Sequence, residues 1–364
     1  MVSRTPLRIA GAAVDTWRRT YRTARAISKA DRTPVGQTPR EEIWALNKMR
    51  LYRYTPTRPP EERHPVPLLL VFAIITKPFI MDLRPGHSFI EYLLDRGFDV
   101  YLIDWGNPGP EDSTITMDDY GAEFLPRVIR RVQRDSGTDE LSVLGYCFGS
   151  LVTLLYAALN PDGPAKNLIL LTPPVDMGQR EGSKFSVWLD SRWFDVDRFV
   201  VATGNLSQAV IISGAKMLKV VANYVGAYTM LYDRIYDEEK VTNWQAMHRW
   251  VHEGVELPAE AFRQWVRDYL WANAMVSGEH VVKGETVDLS RINVPVLNVL
   301  AELDHIVPPR QSIGVADLLG SNDVHTEVLK AGHVGIMSGR SANKHLWPLL
   351  ADWLAERSGE PAVS

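Results

Sequence analysis

The stretch "LSVLGYCFGSLVTLL", residues 141–155, decides the fold of this chain. Its first half is an apolar run of strand length, and its second half is an apolar run with helical spacing. Gly145 and Gly149 flank the turn between them and supply the small residues that a sharp strand-to-helix turn requires. A side chain at the tip of such a turn meets the helix N-terminus, where the helix dipole favours a thiolate. The stretch therefore predicts a nucleophile elbow with Cys147 at its tip and the N–H of Phe148 as an oxyanion donor.

Strand and helix patterns alternate on both sides of this turn. Continuous apolar runs of strand length are typical of parallel strands that are buried on both faces. We predict further strands in "PLLLVFAII", "FDVYLIDWG", "NLILLTPPVD", "VPVLNVLAELD" and "HTEVLKAGH", and helices in "FIEYLLDRG", "MDDYGAEFLPRVIRRVQRDSG" and "HLWPLLADWLAER". The alternation predicts an α/β protein with a mostly parallel, doubly wound sheet.

The alternation stops between residues 177 and 290, where the pattern is helical and rich in aromatic residues. These are Trp188, Trp193, Phe194, Trp244, Trp250, Phe262, Trp265 and Trp271. We predict a helical cap inserted between two strands, with aromatics that mostly form its own core and only partly line a cleft. The predicted segments are a basic helical arm and linker (1–60), the first part of the core (61–176), the cap (177–290) and the second part of the core (291–364).

The first thirty residues carry many arginines and a regular apolar pattern. The apolar residues Leu7, Ala10, Val14, Trp17, Tyr21 and Ala24 recur at spacings of three and four, which predicts a helix with a narrow apolar seam. Two interpretations stay open. The seam packs on the chain's own domain, or it meets a partner subunit or a hydrophobic surface.

Composition limits the classes of function. The chain is 45% hydrophobic and 23% charged, which indicates a globular protein, and its net charge of -4 argues against a general polyanion as partner. A single cysteine cannot form an internal disulfide. Asp15 and Arg18 interrupt the only early apolar stretch, and no run reaches the ~20 residues of a membrane span, so we expect a cytoplasmic protein. Without phosphate-loop, dinucleotide or zinc spacings, we predict no metal and no bound cofactor.

A cysteine at such a turn requires a histidine as base and an acid that orients the histidine. In this fold the acid follows the nucleophile along the chain, and the histidine follows the acid. Asp304 begins the loop "DHIVPP" after a predicted strand, and His333 lies in "AGHVG" after the last strand. The neighbouring His305 is the competing base. The three residues Cys147, Asp304 and His333 predict the catalytic triad of an α/β-hydrolase fold. A second oxyanion donor is expected from the backbone N–H of Ile75 or Thr76.

Asp104 also ends a predicted strand, but it precedes the nucleophile along the chain. We therefore interpret Asp104 as a structural residue, or as one that supports the residues of the site without touching the substrate, rather than as the acid of the triad.

The motif "GYCFGS" resembles the G-x-C-x-G-G box of the polyhydroxyalkanoate synthases. The blocks "ITKPFIMDL", "GFDVYLIDWG", "LLTPPVDM", "DHIVPP" and "AGHVGIMSG" are similar to that family in the same order. The short segment before the catalytic domain resembles the synthases that work with a second subunit. The resemblance implies an acyltransferase that polymerises (R)-3-hydroxyacyl-coenzyme A (CoA), with Cys147 as acyl carrier, His333 as base and Asp304 as its acid.

The resemblance also implies the substrates and partners. The CoA thioester is a substrate rather than a bound cofactor, and the growing polyester, a second subunit or second copy, and the polymer granule surface are the expected partners. Ser150 stands where the family has the last glycine of its box. Two alternatives stay open: a thiol hydrolase that cleaves polyester or acyl thioesters on the same fold, and a non-catalytic protein that binds granules or a partner.

Overall fold

The computed structural model describes residues 5–219, 225–339 and 341–359, with side chains from residue 13 onward. Its strands are short, and most of them lie in one sheet. In chain order they are β1 (Arg40–Leu46), β2 (Met49–Tyr54), β3 (Leu68–Val71), β4 (Asp82–Arg84), β5 (His87–Ser88), β6 (Val100–Asp104), β7 (Leu141–Tyr146), β8 (Ala165–Leu171), β9 (Val281–Val282), β10 (Glu285–Thr286), β11 (Val296–Ala301) and β12 (Val324–Leu329).

The central sheet has eight strands in the order β1-β2-β6-β3-β7-β8-β11-β12. Strand β2 pairs antiparallel with β1 and β6, and the other neighbouring strands are parallel. Strands β3, β7 and β11 are buried along their whole length. Such burial is expected of parallel strands covered by helices on both faces. The predicted mostly parallel sheet is confirmed.

Helices separate β5 from β6, β6 from β7, β7 from β8 and β11 from β12, and a series of helices lies between β8 and β9. They are α1 (Thr5–Lys29), α2 (Phe89–Asp95), α3 (Met117–Asp119), α4 (Leu125–Ser136), α5 (Phe148–Leu159), α6 (Lys184–Trp188), α7 (Val196–Thr203), α8 (Gln208–Leu218), α9 (Ala227–Asp233), α10 (Glu238–His252), α11 (Ala259–Gln264), α12 (Ala274–Ser277), α13 (Arg310–Ile313), α14 (Val315–Leu318), α15 (Gly335–Ser338) and α16 (Trp347–Ala355). Wider π-helical turns adjoin α4, α11 and α16 at Tyr120–Phe124, Trp265–Trp271 and Ala342–Leu346.

Local conformation confirms two predicted helix ends. Gly97 follows α2 with φ of 85°, and Gly137 caps α4 with φ of 73°, both in the left-handed region that favours glycine. The predicted strand "PLLLVFAII" is shorter than expected, because its pairing ends at Val71. Beyond it, the carbonyl oxygen of Phe72 accepts a hydrogen bond from Trp105 Nε1 at 2.9 Å. The residues that follow leave the sheet and border the site described below.

The predicted boundary after residue 60 is wrong for residues 40–54. These residues form β1 and β2, which extend the central sheet antiparallel beyond β6. Strand β1 lies at the edge of the sheet, and its first three residues are exposed. An edge strand tolerates charged side chains, so it lacks the continuous apolar run that identified the buried strands.

The predicted N-terminal helix is present, but the part of its apolar seam whose side chains are described does not pack on the protein. Val14, Trp17, Tyr21 and Ala24 are exposed, while Leu7 and Ala10 lie outside the residues with described side chains. A different face of α1 contacts α9 and α10. There Ala26 is buried with Leu231 and Ile235, and its carbonyl oxygen accepts a hydrogen bond from Gln245 Nε2 at 2.8 Å. The helix therefore docks on the cap through one face and leaves its aromatic seam free.

The insertion between β8 and β11 is mainly helical, as predicted, and contains α6 to α12. It also contains the two-residue strands β9 and β10, which pair antiparallel and were not predicted. Within the described parts of the chain, no helix is both long enough and apolar enough to cross a membrane.

Candidate active site

Cys147 lies at the tip of the turn between β7 and α5. Its backbone has φ of 55° and ψ of -121°, a conformation that is uncommon and strained for a residue other than glycine. Hydrogen bonds hold the turn in place. The N–H of Cys147 donates to the carbonyl oxygen of Leu171 at 2.9 Å, and the N–H of Ser150 donates to that of Cys147 at 2.9 Å. This geometry is that of the predicted nucleophile elbow.

Both elbow glycines are required by the surrounding backbone. A Cβ atom on Gly149 would lie 1.9 Å from the carbonyl oxygen of Val71, and one on Gly145 would lie 2.5 Å from Cα of Ser150. Such distances are far inside van der Waals contact. The structure therefore explains why residues without a side chain occupy these two positions, where the strand and the helix nearly touch.

Ser150 is accommodated without disturbing the elbow. It is fully buried, and its Oγ donates to the carbonyl oxygen of Leu171 at 3.2 Å. That oxygen also accepts the N–H of Cys147, so the serine hydroxyl reinforces the anchor of the turn on β8. A buried and hydrogen-bonded hydroxyl beyond the tip of the turn is unsuited to act as the nucleophile.

Asp304 and His333 form a buried pair beside the cysteine. Nδ1 of His333 lies 2.6 Å from Oδ2 of Asp304, and the other oxygen, Oδ1, accepts the N–H groups of Ile306 and Val307 at 2.8 and 2.9 Å. With Nδ1 donating to the carboxylate, Nε2 is the ring nitrogen left for Cys147. His305 lines the same cavity, but the carboxylate of Asp304 is already paired with His333.

The environment of His333 favours its charged form. Burial alone lowers the pKa of this imidazole, but the charge of Asp304, the charge of Cys147 and hydrogen bonds to both side chains raise it to about 10. The imidazolium is therefore the main form at neutral pH. The charged ring therefore places a proton donor and a positive charge beside Cys147, the residue at the tip of the turn.

Tyr146 fixes the loop that carries His333. Its hydroxyl donates to the carbonyl oxygen of His333 at 2.6 Å, and the two rings stack with centroids 5.6 Å apart. Burial, together with the charges of Cys147 and Asp304, raises the pKa of Tyr146 well above its usual range, so the hydroxyl stays a donor. The sequence interpretation missed this role. The only available signal was a tyrosine placed directly before the nucleophile.

The predicted oxyanion donors border the same site. Phe148 is the first residue of α5, so its N–H has no acceptor within the helix. Ile75 and Thr76 line the cavity next to Cys147. Thr76 forms an antiparallel bridge with Gly254 of the cap, and the carbonyl oxygen of Ile75 accepts the N–H of Val255 at 3.4 Å. The choice between Ile75 and Thr76 as second donor stays a prediction.

Asp104 contacts the turn that follows β6 and a lysine of the loop after β3. Its Oδ1 accepts the N–H of Gly106 at 2.9 Å, and Nζ of Lys77 lies 3.6 Å from the same oxygen.

A cavity of about 810 Å³ opens beside Cys147 and His333 and extends into the cap. The aromatics of the cap line this cavity to a larger extent than predicted. Six of the eight named above border it: Trp188, Phe194, Trp244, Trp250, Phe262 and Trp265. Trp265 packs edge-on against Phe148 with centroids 5.6 Å apart, which places a cap side chain directly over the turn. The cap thus forms the wall of the site as well as a packed unit.

A polar cluster on α8, α9 and α10 interrupts the apolar wall. The rings of His248 and His252 stack 4.0 Å apart. His252 Nε2 lies 3.1 Å from Lys216 Nζ, and His248 Nε2 lies 3.4 Å from the hydroxyl of Tyr228. Burial, with the neighbouring His252, lowers the pKa of His248. The sequence interpretation missed this cluster, although the spacing of four residues between the histidines places both on one helix face.

Within residues 5–219, 225–339 and 341–359, no group of three or more His, Cys, Asp or Glu side chains is arranged to hold a metal ion.

Comparison with known proteins identifies the family. Residues 82–339 match the alpha/beta hydrolase fold family, and residues 31–93 match the family described as the poly-beta-hydroxybutyrate polymerase (PhaC) N-terminus. Three similar curated proteins share the name poly(3-hydroxyalkanoate) polymerase subunit PhaC. The protein of Haloferax mediterranei is 34% identical over 93% of this chain and 68% of its own length. That of Allochromatium vinosum is 34% identical over 90% and 91%, and that of Synechocystis sp. is 33% identical over 90% and 87%. The resemblance seen in the sequence is confirmed, and the chain belongs to the poly(3-hydroxyalkanoate) polymerase PhaC family.

Proposed function

We propose that this protein is the catalytic subunit of a polyhydroxyalkanoate synthase, which polymerises (R)-3-hydroxyacyl-CoA and releases CoA through an acyl group carried on Cys147. The observation that carries the proposal is the buried pair of His333 and Asp304 beside an elbow cysteine, in a chain of the polymerase family. The roles of the three side chains follow from this geometry.

The first step loads the cysteine. The thiolate sulfur of Cys147 attacks the thioester carbonyl carbon, and the developing oxyanion is stabilised by the N–H of Phe148. Collapse of this intermediate breaks the bond to the CoA sulfur, which leaves with the proton from Nε2 of His333. One thioester replaces another, so the acyl group is loaded with little change in free energy.

The second step forms the polyester bond. His333 is now neutral and can accept the proton of a hydroxyl group on another hydroxyacyl unit. The hydroxyl oxygen bonds to the acyl carbon while the bond to Sγ of Cys147 breaks. The cysteine leaves as a thiolate, and the imidazolium beside Asp304 is restored. The proton count is therefore the same at the beginning and the end of each cycle.

The apolar cavity favours polymerisation over hydrolysis. Water must be kept from the acyl-cysteine, because water at the position of the hydroxyl group would release a free acid. Trp265 packs on Phe148 next to the cysteine, and most of the residues that line the cavity are apolar, so the surface near the acyl-cysteine offers few hydrogen bonds to water. This wall is the observation that favours a transferase over the thiol hydrolase.

The exposed seam of α1 supports a proposal about the second subunit. Trp17 and Tyr21 are 67% and 56% exposed and stack on each other, with the exposed arginines Arg18 and Arg25 on the same helix. Exposed aromatics flanked by positive charge suit an apolar, acidic partner surface. We propose that this seam binds a second synthase subunit and that the complex works at the granule surface in the cytoplasm.

Incubation with 3-hydroxybutyryl-CoA tests the function, with and without any co-encoded subunit. CoA release and polymer mass are measured together, and Cys147→Ala serves as the inactive control. Polymer that matches the CoA released supports the synthase. An equal amount of free acid would instead support the hydrolase. No acyl group on Cys147 by mass spectrometry, with no CoA released, would support the non-catalytic alternative.

A further inference from the structure

The indole N–H of Trp265 differs from those of two other tryptophans that line the cavity. Nε1 of Trp244 donates to the carbonyl oxygen of Ala227 at 2.9 Å, and Nε1 of Trp250 donates to that of Lys77 at 2.7 Å. Trp265 is only 8% exposed, and its Nε1 has no acceptor among the residues that the structure describes. A buried donor without an acceptor costs free energy, so an acceptor on a ligand would be bound favourably at this point.

Trp265 lies beside the residue that carries the acyl group. Its ring packs edge-on against that of Phe148 with centroids 5.6 Å apart, and Phe148 directly follows Cys147. All three residues line the same cavity. An acyl group on Sγ of Cys147 has to enter this cavity, so Trp265 belongs to the surface that the acyl group meets.

A carboxylate of α3 fixes the segment that carries Trp265. Asp118 accepts hydrogen bonds from Nε2 of Gln264 at 2.6 Å and from the hydroxyl of Tyr269 at 3.0 Å, and these two residues lie on either side of Trp265 in the chain. Nε2 of His280 lies 2.8 Å from the same carboxylate. Trp265 also begins a π-helical turn, a conformation that is frequent at functional sites. The indole is therefore held in place, as a group that recognises a ligand must be.

The other donors of the site indicate which acceptor is left for this N–H. The carbonyl oxygen of the acyl group has the N–H of Phe148 and the predicted N–H of Ile75 or Thr76. The next acceptor in a 3-hydroxyacyl group is the oxygen on carbon 3, two carbons from the carbonyl carbon. A plain fatty acyl group has no acceptor at this position.

We propose that Trp265 is a specificity-determining residue whose indole N–H donates a hydrogen bond to the oxygen on carbon 3 of the acyl group on Cys147. This inference rests on the proposed synthase function. The bond favours acyl groups that carry this oxygen over those that lack it, because only the former supply a partner to a donor that is buried from water.

The test compares two thioesters that differ only in this oxygen, (R)-3-hydroxybutyryl-CoA and butyryl-CoA. With enzyme in excess, mass spectrometry measures the rate at which each thioester acylates Cys147. Trp265→Phe keeps an aromatic ring and removes the N–H. A second variant carries benzothienylalanine at position 265, which keeps the shape of the indole and has sulfur in place of the N–H.

Trp353→Phe is the matched control. Trp353 is 7% exposed, and its Nε1 likewise has no acceptor within the described part of the chain. Trp353 belongs to α16 and is not among the residues that line the cavity.

We expect the wild type to be acylated faster by the 3-hydroxy thioester than by butyryl-CoA. In both variants at position 265 this preference should fall about fivefold, the size expected for one hydrogen bond, because only acylation by the 3-hydroxy thioester slows. Trp353→Phe should keep the wild-type preference. If Trp265→Phe does not fold, the benzothienylalanine variant gives the same comparison.

Three results would overturn the inference. An unchanged preference in both variants would show that the N–H does not contact the acyl group. A preference that is lost in Trp265→Phe and kept with benzothienylalanine would show that the shape of the ring is selective, and not the N–H. Equal slowing with both thioesters would show that the N–H serves the carbonyl oxygen instead. Failure of both thioesters to acylate wild-type Cys147 would count against the proposed function rather than against this inference.

Discussion

The hydroxyl of Tyr146 and the carbonyl oxygen of His333 lie 2.6 Å apart, so the residue before the nucleophile holds the loop of the proposed base. In Tyr146→Phe we expect kcat to fall about tenfold with KM nearly unchanged, because losing one buried hydrogen bond costs about 1–3 kcal/mol and loosens the histidine. CoA release measures both constants. Tyr54→Phe is the control, since Tyr54 is fully buried and bonds to Arg40 away from the site. Equal losses of kcat in both variants would show a general packing effect.

Cys147→Ala should abolish CoA release while the fold persists, because the thiolate is the proposed acyl carrier. Cys147→Ser should leave only a trace of activity, since a hydroxyl is a much poorer nucleophile beside an imidazolium. Mass spectrometry after incubation with substrate should find the acyl group on Cys147 of the wild type. An acyl group retained on another residue, or substantial activity in the alanine variant, contradicts the assignment.

His333→Ala and Asp304→Ala should each lower the rate of CoA release by about 10³-fold or more, and the double variant should be hardly slower, because members of a catalytic unit are not additive. His305→Ala is the matched control, since His305 lines the cavity but is not the partner of Asp304. The assignment of the base is wrong if His305→Ala is the inactive variant and His333→Ala stays active.

The charge on the His333 ring should persist well above neutral pH. Although burial lowers it, the pKa of His333 is raised to about 10, mainly by the charge of Asp304, so the imidazolium persists below that pH and is lost above it. From pH 7 to 9 we expect the NMR signals of this imidazole ring to be nearly constant in the wild type. In Asp304→Asn the pKa of His333 should fall, because the carboxylate charge that favours the imidazolium is gone. A wild-type midpoint near the ordinary histidine pKa of about 6.5 would contradict this assignment.

The exposed seam of α1 should matter for association and little for folding. Trp17→Ala and Tyr21→Ala should keep Tm close to the wild-type value, because exposed substitutions usually change stability by less than about 0.5 kcal/mol. Both should lose binding of the second subunit in a pull-down or by calorimetry. Trp193→Ala is the control, since Trp193 is also largely exposed, at 59%, and lies on the cap. Binding that survives in the α1 variants places the partner on another surface.

The residues that could be predicted are those whose position follows from chain order and local pattern. Cys147 was identified by the strand, turn and helix around it, and Asp304 and His333 by the loops that follow later strands. The pairing of Asp304 with His333 rather than with the adjacent His305 also follows, because the small residues around His333 allow a tight loop. These features depend on short segments and on the rules of parallel sheets.

The features that could not be predicted depend on contacts between distant segments. Strand β1 is charged because it lies at a sheet edge, and nothing in the segment itself shows which edge is available. The bond from Tyr146 to His333 joins residues 187 positions apart. The exposure of Trp17 and Tyr21 could not be predicted either, because the contact with the cap is made by a second face of α1, around Ala26.

Helix α10 joins two parts of the molecule that are far apart in sequence. Near the middle of α10, Gln245 donates a hydrogen bond to the carbonyl oxygen of Ala26 in α1. Toward the end of α10, Trp250 Nε1 donates to the carbonyl oxygen of Lys77 at 2.7 Å. Lys77 follows Thr76 in the loop of the predicted second oxyanion donor. A displacement of α10 therefore changes the support of α1 and the geometry of that loop together. A partner that binds α1 more tightly in one position of α10 favours that position. By thermodynamic linkage, such a partner changes the affinity for substrate by some factor, and bound substrate changes the affinity for the partner by the same factor. The proposed association through α1 and the proposed acylation of Cys147 would then both depend on the position of α10.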